Sequence, residues 1–191
     1  MKKHLFTFTV AAFALTMLFS GCGKKTSIGT FDYLPVQMSK GESWSIIDKD
    51  GNVVVKEEYP ADSKLSLIYE GAYWVYSNEK YQLYNLDNPK KPVTDEEFAS
   101  ATIFRAGVAV VGNPNQQIRI IDTNGKTIAT LSKDIKRCEQ FTDEGYAVIH
   151  NTNNKEGLID TKGNIVIAPT YFDLYSPNDG FVNCKEGGWR Q

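Results

Sequence analysis

A five-residue motif that returns four times at a nearly fixed interval constrains this chain more tightly than its composition does. Trp44-Ser45-Ile46-Ile47-Asp48 aligns with Tyr81-Gln82-Leu83-Tyr84-Asn85, Ile118-Arg119-Ile120-Ile121-Asp122 and Glu156-Gly157-Leu158-Ile159-Asp160, the starts lying 37, 37 and 38 residues apart. In three of the four, a glycine stands three residues beyond the acid: Gly51, Gly125 and Gly163. A second series, Gly71, Gly107, Gly145 and Gly180, runs at intervals of 36, 38 and 35. Two marks that share one period predict tandem modules of about four repeats, each one supersecondary unit that buries its apolar surface against its neighbours.

Each module reads as several short strands. Asp at the first place and Gly at the fourth is the preference of a type I turn, in which the carboxylate accepts a backbone N–H and glycine takes the left-handed closing conformation. Apolar stretches flank each turn, Val53-Val54-Val55, Thr127-Ile128-Ala129 and Ile165-Val166-Ile167 following it, so a hairpin is the expected product. Further strands are expected near Leu65 to Tyr69 and Ala101 to Phe104, and after the second glycine at Tyr73 to Tyr76, Val108 to Val111, Tyr146 to His150 and Phe181 to Cys184. Only Asp95 to Ala101 is compatible with one helical turn. The fold class is all-β.

Residues 1–21 have the pattern of an export signal: Lys2 and Lys3, then fifteen apolar or small residues from Leu5 to Phe19. That run is too short for a span of roughly 20 residues but suits a secretory h-region. Phe19-Ser20-Gly21-Cys22, with small residues before the cysteine, resembles the lipobox of bacterial lipoproteins, although Phe19 stands where that family usually has Leu. The resemblance implies a diacylglycerol on the Cys22 thiol, cleavage just before it, and an acylated new amino terminus. More than one acyl chain is what makes such anchoring stable. Residues 22–30 then form a tether and 31–191 the repeat domain, placing the protein on the extracytoplasmic side of the cell envelope with the lipid bilayer as one partner. Gly23 after the cysteine resembles a signal for release to an outer membrane where the cell has two.

The repeat resembles the WG repeat, a β-rich unit found in tandem in bacterial exported and lipid-anchored proteins. Glu156-Gly157-Leu158-Ile159-Asp160-Thr161-Lys162-Gly163 with Ile165-Val166-Ile167-Ala168-Pro169, and Trp44 to Gly51, carry the resemblance. Trp and Gly of the family name never stand together here, and the second repeat is the most degenerate, with Asn85 for the acid and Asn88-Pro89 for the glycine. The resemblance implies tandem antiparallel units and no general catalytic motif. Four strands per unit predict propeller-like packing, with an open stack of β-hairpin units as the alternative. Leu34-Pro35-Val36 precedes Trp44 as Phe181-Val182-Asn183 precedes Trp189. The first strand is therefore expected to be left over at one end and to close a ring at the other, and the motif at Trp189 implies a further unit beginning where the sequence stops.

Chemical motifs are few. Asp48, Asp50 and Glu57 have EF-hand spacing, but Ile46 stands at the first ligand position, so the turn explains them better. His150 is the only histidine after residue 4, and a lone strand histidine is expected to be satisfied rather than to ligate a metal. Export permits a disulfide between Cys138 and Cys184, with buried free thiols the favoured reading. No catalytic residue, metal site or cofactor is expected. A net charge of −2 with 41% hydrophobic residues describes a folded chain and excludes nucleic-acid binding by bulk positive charge. The expected function is a non-catalytic binding module for a protein, peptide or glycan. Its candidate surface is Trp74, Tyr76 and Tyr81, although strand alternation would point half of this aromatic set into the core. The alternatives are an enzyme accessory or weak glycan-directed hydrolase, which needs Asp48, Asn85, Asp122 and Asp160 to converge, and a structural envelope spacer.

Overall fold

The computed structural model describes residues 32–175 and 184–185, which belong to a compact unit running from Phe31 to Gln191. Cys22, the leader and the tether lie outside the described residues. Among the described residues there is no helix, and the strands form five antiparallel sheets that follow one another along the chain. The first holds β1 (Tyr33–Gln37), β2 (Trp44–Asp48) and β3 (Val53–Tyr59), the second β4 (Lys64–Leu65), β5 (Ala72–Ser77) and β6 (Lys80–Asn85). The third holds β7 (Ser100–Ala101), β8 (Val108–Gly112), β9 (Arg119–Asp122) and β10 (Thr127–Thr130), the fourth β11 (Ile135–Cys138), β12 (Tyr146–Asn151), β13 (Glu156–Asp160) and β14 (Ile165–Tyr171). β15 (Asp173–Leu174) and β16 (Cys184–Lys185) pair as a fifth.

The Asp turns form as their residues dictate. Asp48 Oδ1 accepts the N–H groups of Asp50 (2.9 Å) and Asn52 (2.8 Å), and the Gly51 N–H closes onto the Asp48 carbonyl at 3.0 Å with Gly51 at φ +83. The same bonds recur at Asp122 and Asp160 within 0.1 Å. Each joins the central strand of a sheet to the outer one. Asn85 keeps the acceptor role toward the Asp87 N–H (2.6 Å) but has no glycine after it. Without that turn, no regular outer strand follows β6. Residues 88–98 instead clasp β6 through Val93 N–H to the Leu83 carbonyl (2.7 Å) and a reciprocal pair between Tyr81 and Phe98.

The core lies between sheets. Successive residues of β5 face opposite ways: Tyr73 and Val75 pack with Ile46, Val55 and Tyr59 of the first sheet, while Ala72 and Trp74 pack with Ala109, Val111 and Ile121 of the third. β8 repeats this, with Val108 and Val110 facing Ala147 and Ile149 of the fourth sheet. Val148 and Leu158 then meet Leu174. A sheet covered on both faces makes its inner strands continuously apolar, as Ala72-Tyr73-Trp74-Val75 and Val108-Ala109-Val110-Val111 are. The burial of both faces, in a row of sheets with short inner and exposed outer edges, is propeller-blade packing.

Two expectations are corrected here. The first strand is not left over for ring closure: β1 pairs with β2 along its whole length, Tyr33 opposite Asp48 through Gln37 opposite Trp44. The sheets are cut from the repeat one strand out of phase with the sequence motif, because the strand after the second glycine pairs with the next motif. Asp95 to Ala101 forms no helical turn; its Phe98 is drawn into the core beside Trp74.

Candidate binding cleft

Tyr76 and Tyr81 stand opposite one another next to the two-residue turn Asn78-Glu79 that joins β5 to β6. Their ring centroids are 4.7 Å apart at 50°. Lys64 pairs with Tyr76 from the other side and holds its Nζ 5.7 Å from the ring centroid. With Leu65, Ser66 and Trp74 these residues line a cleft of about 270 Å³. Tyr76 and Tyr81 are half-buried, and among the described residues the Lys64 ammonium has no carboxylate partner.

Trp74 is only 1% exposed, which takes it off the surface expected for it. Its indole stacks on Phe104 (5.5 Å, 12°) and its Nε1–H donates to the Thr102 carbonyl at 2.8 Å. The alternation argument failed because it assumed one wet face, whereas β5 lies between two sheets. Trp74 therefore forms the floor of the cleft and fixes Tyr81 edge-on at 6.4 Å. Lys64 was missed from sequence, although counting outward from the Glu70-Gly71 turn brings it within one position of Tyr76.

In two larger clefts several of the polar groups are engaged. One of about 490 Å³ runs past Ser100, Asn113, Lys136 and Arg137, but Lys136 is bonded to Asn154 and Arg137 to Glu139 (3.2 Å). The other, about 520 Å³, lies among Leu131, Ile149, Ile159 and Pro169, where Asn151 is held by the Pro169 carbonyl and by its own turn.

Asp48, Asn85, Asp122 and Asp160 each serve a separate turn, accepting the N–H groups of their own loops. Asp48 is held below the usual carboxylate range by the Asn52 side chain and backbone N–H. For Asp160 slight burial pushes upward, but the Asn164 side chain and backbone outweigh it and the net shift is downward. Carboxylates lowered in this way are turn acceptors, a poor starting point for a general acid. Glu57 belongs to β3, beyond the Asp48 turn. His150 is satisfied: Nε2 faces Glu139 (3.1 Å) and Nδ1 faces Glu156 (3.3 Å), on opposite edges of the ring, so the three share no point for an ion. Among the described residues no cluster of His, Cys, Asp and Glu could hold a metal. Cys138 is a buried free thiol whose pKa burial pushes up to about 12, with Glu139 adding to it, so it is inert as a nucleophile.

The fold and the cleft define a propeller-like β-repeat protein. Residues 157–188 match the family model of the WG containing repeat. Among solved structures, KlHsv2 with loop 6CD replaced by a Gly-Ser linker aligns at TM-score 0.54 and 15% identity, over 72% of this chain and 49% of that one. Kluyveromyces lactis Hsv2p aligns at TM-score 0.51 and 16% identity, over 78% and 53%. Both are β-propeller proteins. The chain thus spans about half the length of the structures it matches, and the likeness is one of fold. No curated protein matches the sequence.

Proposed function

We propose that this protein is a lipid-anchored, non-catalytic interaction module on the extracytoplasmic side of the cell envelope. Acylated Cys22 holds it to the bilayer, and the Tyr76–Tyr81 cleft takes an acidic segment of a partner protein. The observation that carries this reading is the cleft itself, where two tyrosine rings and an ammonium with no carboxylate partner among the described residues border the buried Trp74. Propeller-like repeats suit such a role because their edges vary while the core between sheets is kept. A peptide is favoured over a sugar because Lys64 stands over the Tyr76 ring and Tyr81 is tilted 50° to it, so the two rings form no single flat platform for a pyranose. A carboxylate on the partner would complete Lys64, and an aromatic or aliphatic side chain would fill the remaining space.

Photo-crosslinking from position 76 in the native envelope, followed by mass spectrometry, tests the reading. One protein adduct that Tyr81→Ala and Lys64→Glu both abolish is expected, with the fold unchanged by circular dichroism. An adduct with glycan, or none, overturns it. Cys22→Ser is expected to release the protein from the membrane fraction; retention would refute the anchor.

A further inference from the structure

Tyr76, Gly112 and His150 each stand five residues after the second glycine of their module, Gly71, Gly107 and Gly145. Each lies opposite the inner strand of its sheet, at Lys64, Ser100 and Arg137. The place that holds the Tyr76–Tyr81 cleft therefore recurs in the third and fourth sheets with different contents. Its backbone setting is kept: the Val110 N–H donates to Thr102 Oγ at 2.9 Å, as the Trp74 N–H does to Ser66 Oγ. In the fourth sheet the protein fills the place itself, since Glu139 joins Arg137 (3.2 Å) and His150 (3.1 Å), and His150 joins Glu156 (3.3 Å). In the third, Gly112 has no side chain where Tyr76 has its ring, and a cleft of about 490 Å³ opens, walled by Val110, Ile118 and Cys138. The two open clefts adjoin. Tyr81 of the first exchanges backbone hydrogen bonds with Phe98, and the next residues, Ala99, Ser100 and Ala101, line the second. The Trp74 indole of the first donates to the carbonyl of Thr102, which lines the second.

We propose that the Gly112 cleft is a second subsite for the same partner, taking a large aliphatic or aromatic side chain of the acidic segment while a carboxylate of that segment meets Lys136. This rests on the reading of the Tyr76–Tyr81 cleft as the site of an acidic segment. Charge and wall chemistry select the occupant. The Lys136 ammonium lines the cleft and is bonded to the neutral Asn154 amide oxygen, and among the described residues it has no carboxylate partner. Positive charge therefore borders both clefts, Lys64 at one and Lys136 at the other, whereas Arg137 is already matched by Glu139. The walls between are apolar at Val110, Val111 and Ile118. A charged side chain pushed among them would lose its water without a partner, and an apolar one gains by leaving water. An extended segment presents alternate side chains to one surface, which suits two adjoining clefts.

The test places a photo-crosslinking amino acid at position 116, on the exposed rim of the Gly112 cleft, in the full-length protein in its native envelope. The partner captured from position 76 is expected again, with both attachment points mapping to one acidic segment that carries a large apolar residue. A synthetic peptide of that segment is then titrated against the full-length protein. Gly112→Leu fills the cleft at a position outside the left-handed region, where an added Cβ meets only Ser100 Oγ at 3.0 Å. It should weaken peptide binding at least about tenfold, as should Lys136→Glu, which leaves the core untouched and decides the matter if Gly112→Leu fails to fold. An adduct from position 76 with none from 116, a different protein at 116, or full affinity in the folded variants overturns the second subsite and leaves the tyrosine cleft standing. No protein adduct from either position overturns both.

Discussion

The Trp74 Nε1–H donates to the Thr102 carbonyl at 2.8 Å, tying the second sheet to the third beneath a Trp74–Phe104 stack. Trp74→Phe keeps most of the ring area but orphans that carbonyl, an expected loss of about 1–3 kcal/mol. Trp74→Ala should cost about 3–5 kcal/mol by opening a cavity. Denaturant midpoints at constant slope read both values, and a loss below about 0.5 kcal/mol for Trp74→Ala would contradict the buried placement.

Gly51 and Gly163 close equivalent turns at φ +83 and +80, yet only Gly163 lies against another sheet. Alanine at either position incurs left-handed strain of about 1–2 kcal/mol. Gly163→Ala must also displace Ala129 and should cost about 1–3 kcal/mol more. Equal thermal shifts for the two variants would mean that the fourth sheet does not dock on the third through this turn.

The β5–β6 turn places Asn78 and Glu79 at φ 51 and 61. Two-residue hairpins with both residues left-handed favour Asn-Gly, and glutamate there carries avoidable strain. Glu79→Gly is therefore expected to stabilise the protein by roughly 1 kcal/mol, read as a higher melting temperature. It also leaves the adjacent Tyr76–Tyr81 pair in place, so crosslinking from position 76 should persist.

Asp160 lies below its ordinary value of 3.8 in the folded state. A group depressed by folding contributes stability that is present above its unfolded pKa and is lost as pH falls through the folded one. Melting temperature should therefore drop as pH falls below about 4. Asn85 and Asn151 already show that an amide oxygen can accept the turn N–H groups. Asp160→Asn should thus hold the turn at neutral pH and flatten the acid slope; an unchanged slope would place the acid sensitivity elsewhere.

Tyr59 and Tyr73 share a hydroxyl–hydroxyl bond inside the first junction, and Tyr59 also donates to the Pro89 carbonyl at 2.8 Å. Burial pushes Tyr73 up to about 12 from 10.0, and Tyr59 higher still. Raised phenol values add stability that is intact below pH about 10 and is lost as pH rises toward the folded value. Absorbance at alkaline pH should show these two tyrosines ionising only with unfolding, and Tyr73→Phe should remove part of that coupling.

The turns and the all-β class were legible in the chain because each depends on residues within four positions of one another, and the period because those local marks recur at intervals of 35 to 38 residues. Asp, two further residues and Gly carry both the acceptor and the left-handed closure, and Val or Ile on either side supplies the strands. Register and partner were not legible in the same way. The strand after Gly71, Gly107 or Gly145 joins the following motif rather than the preceding one, a choice made by pairing across Asn78-Glu79 and its equivalents. The cleft was half visible: Tyr76 and Tyr81 are neighbours through a short turn, whereas Lys64 reaches them only through pairing across the Glu70-Gly71 turn. Trp74 shows the limit most plainly. A period of two says which residues share a face, and only the packing of sheets on both sides of β5 decides that neither face is wet.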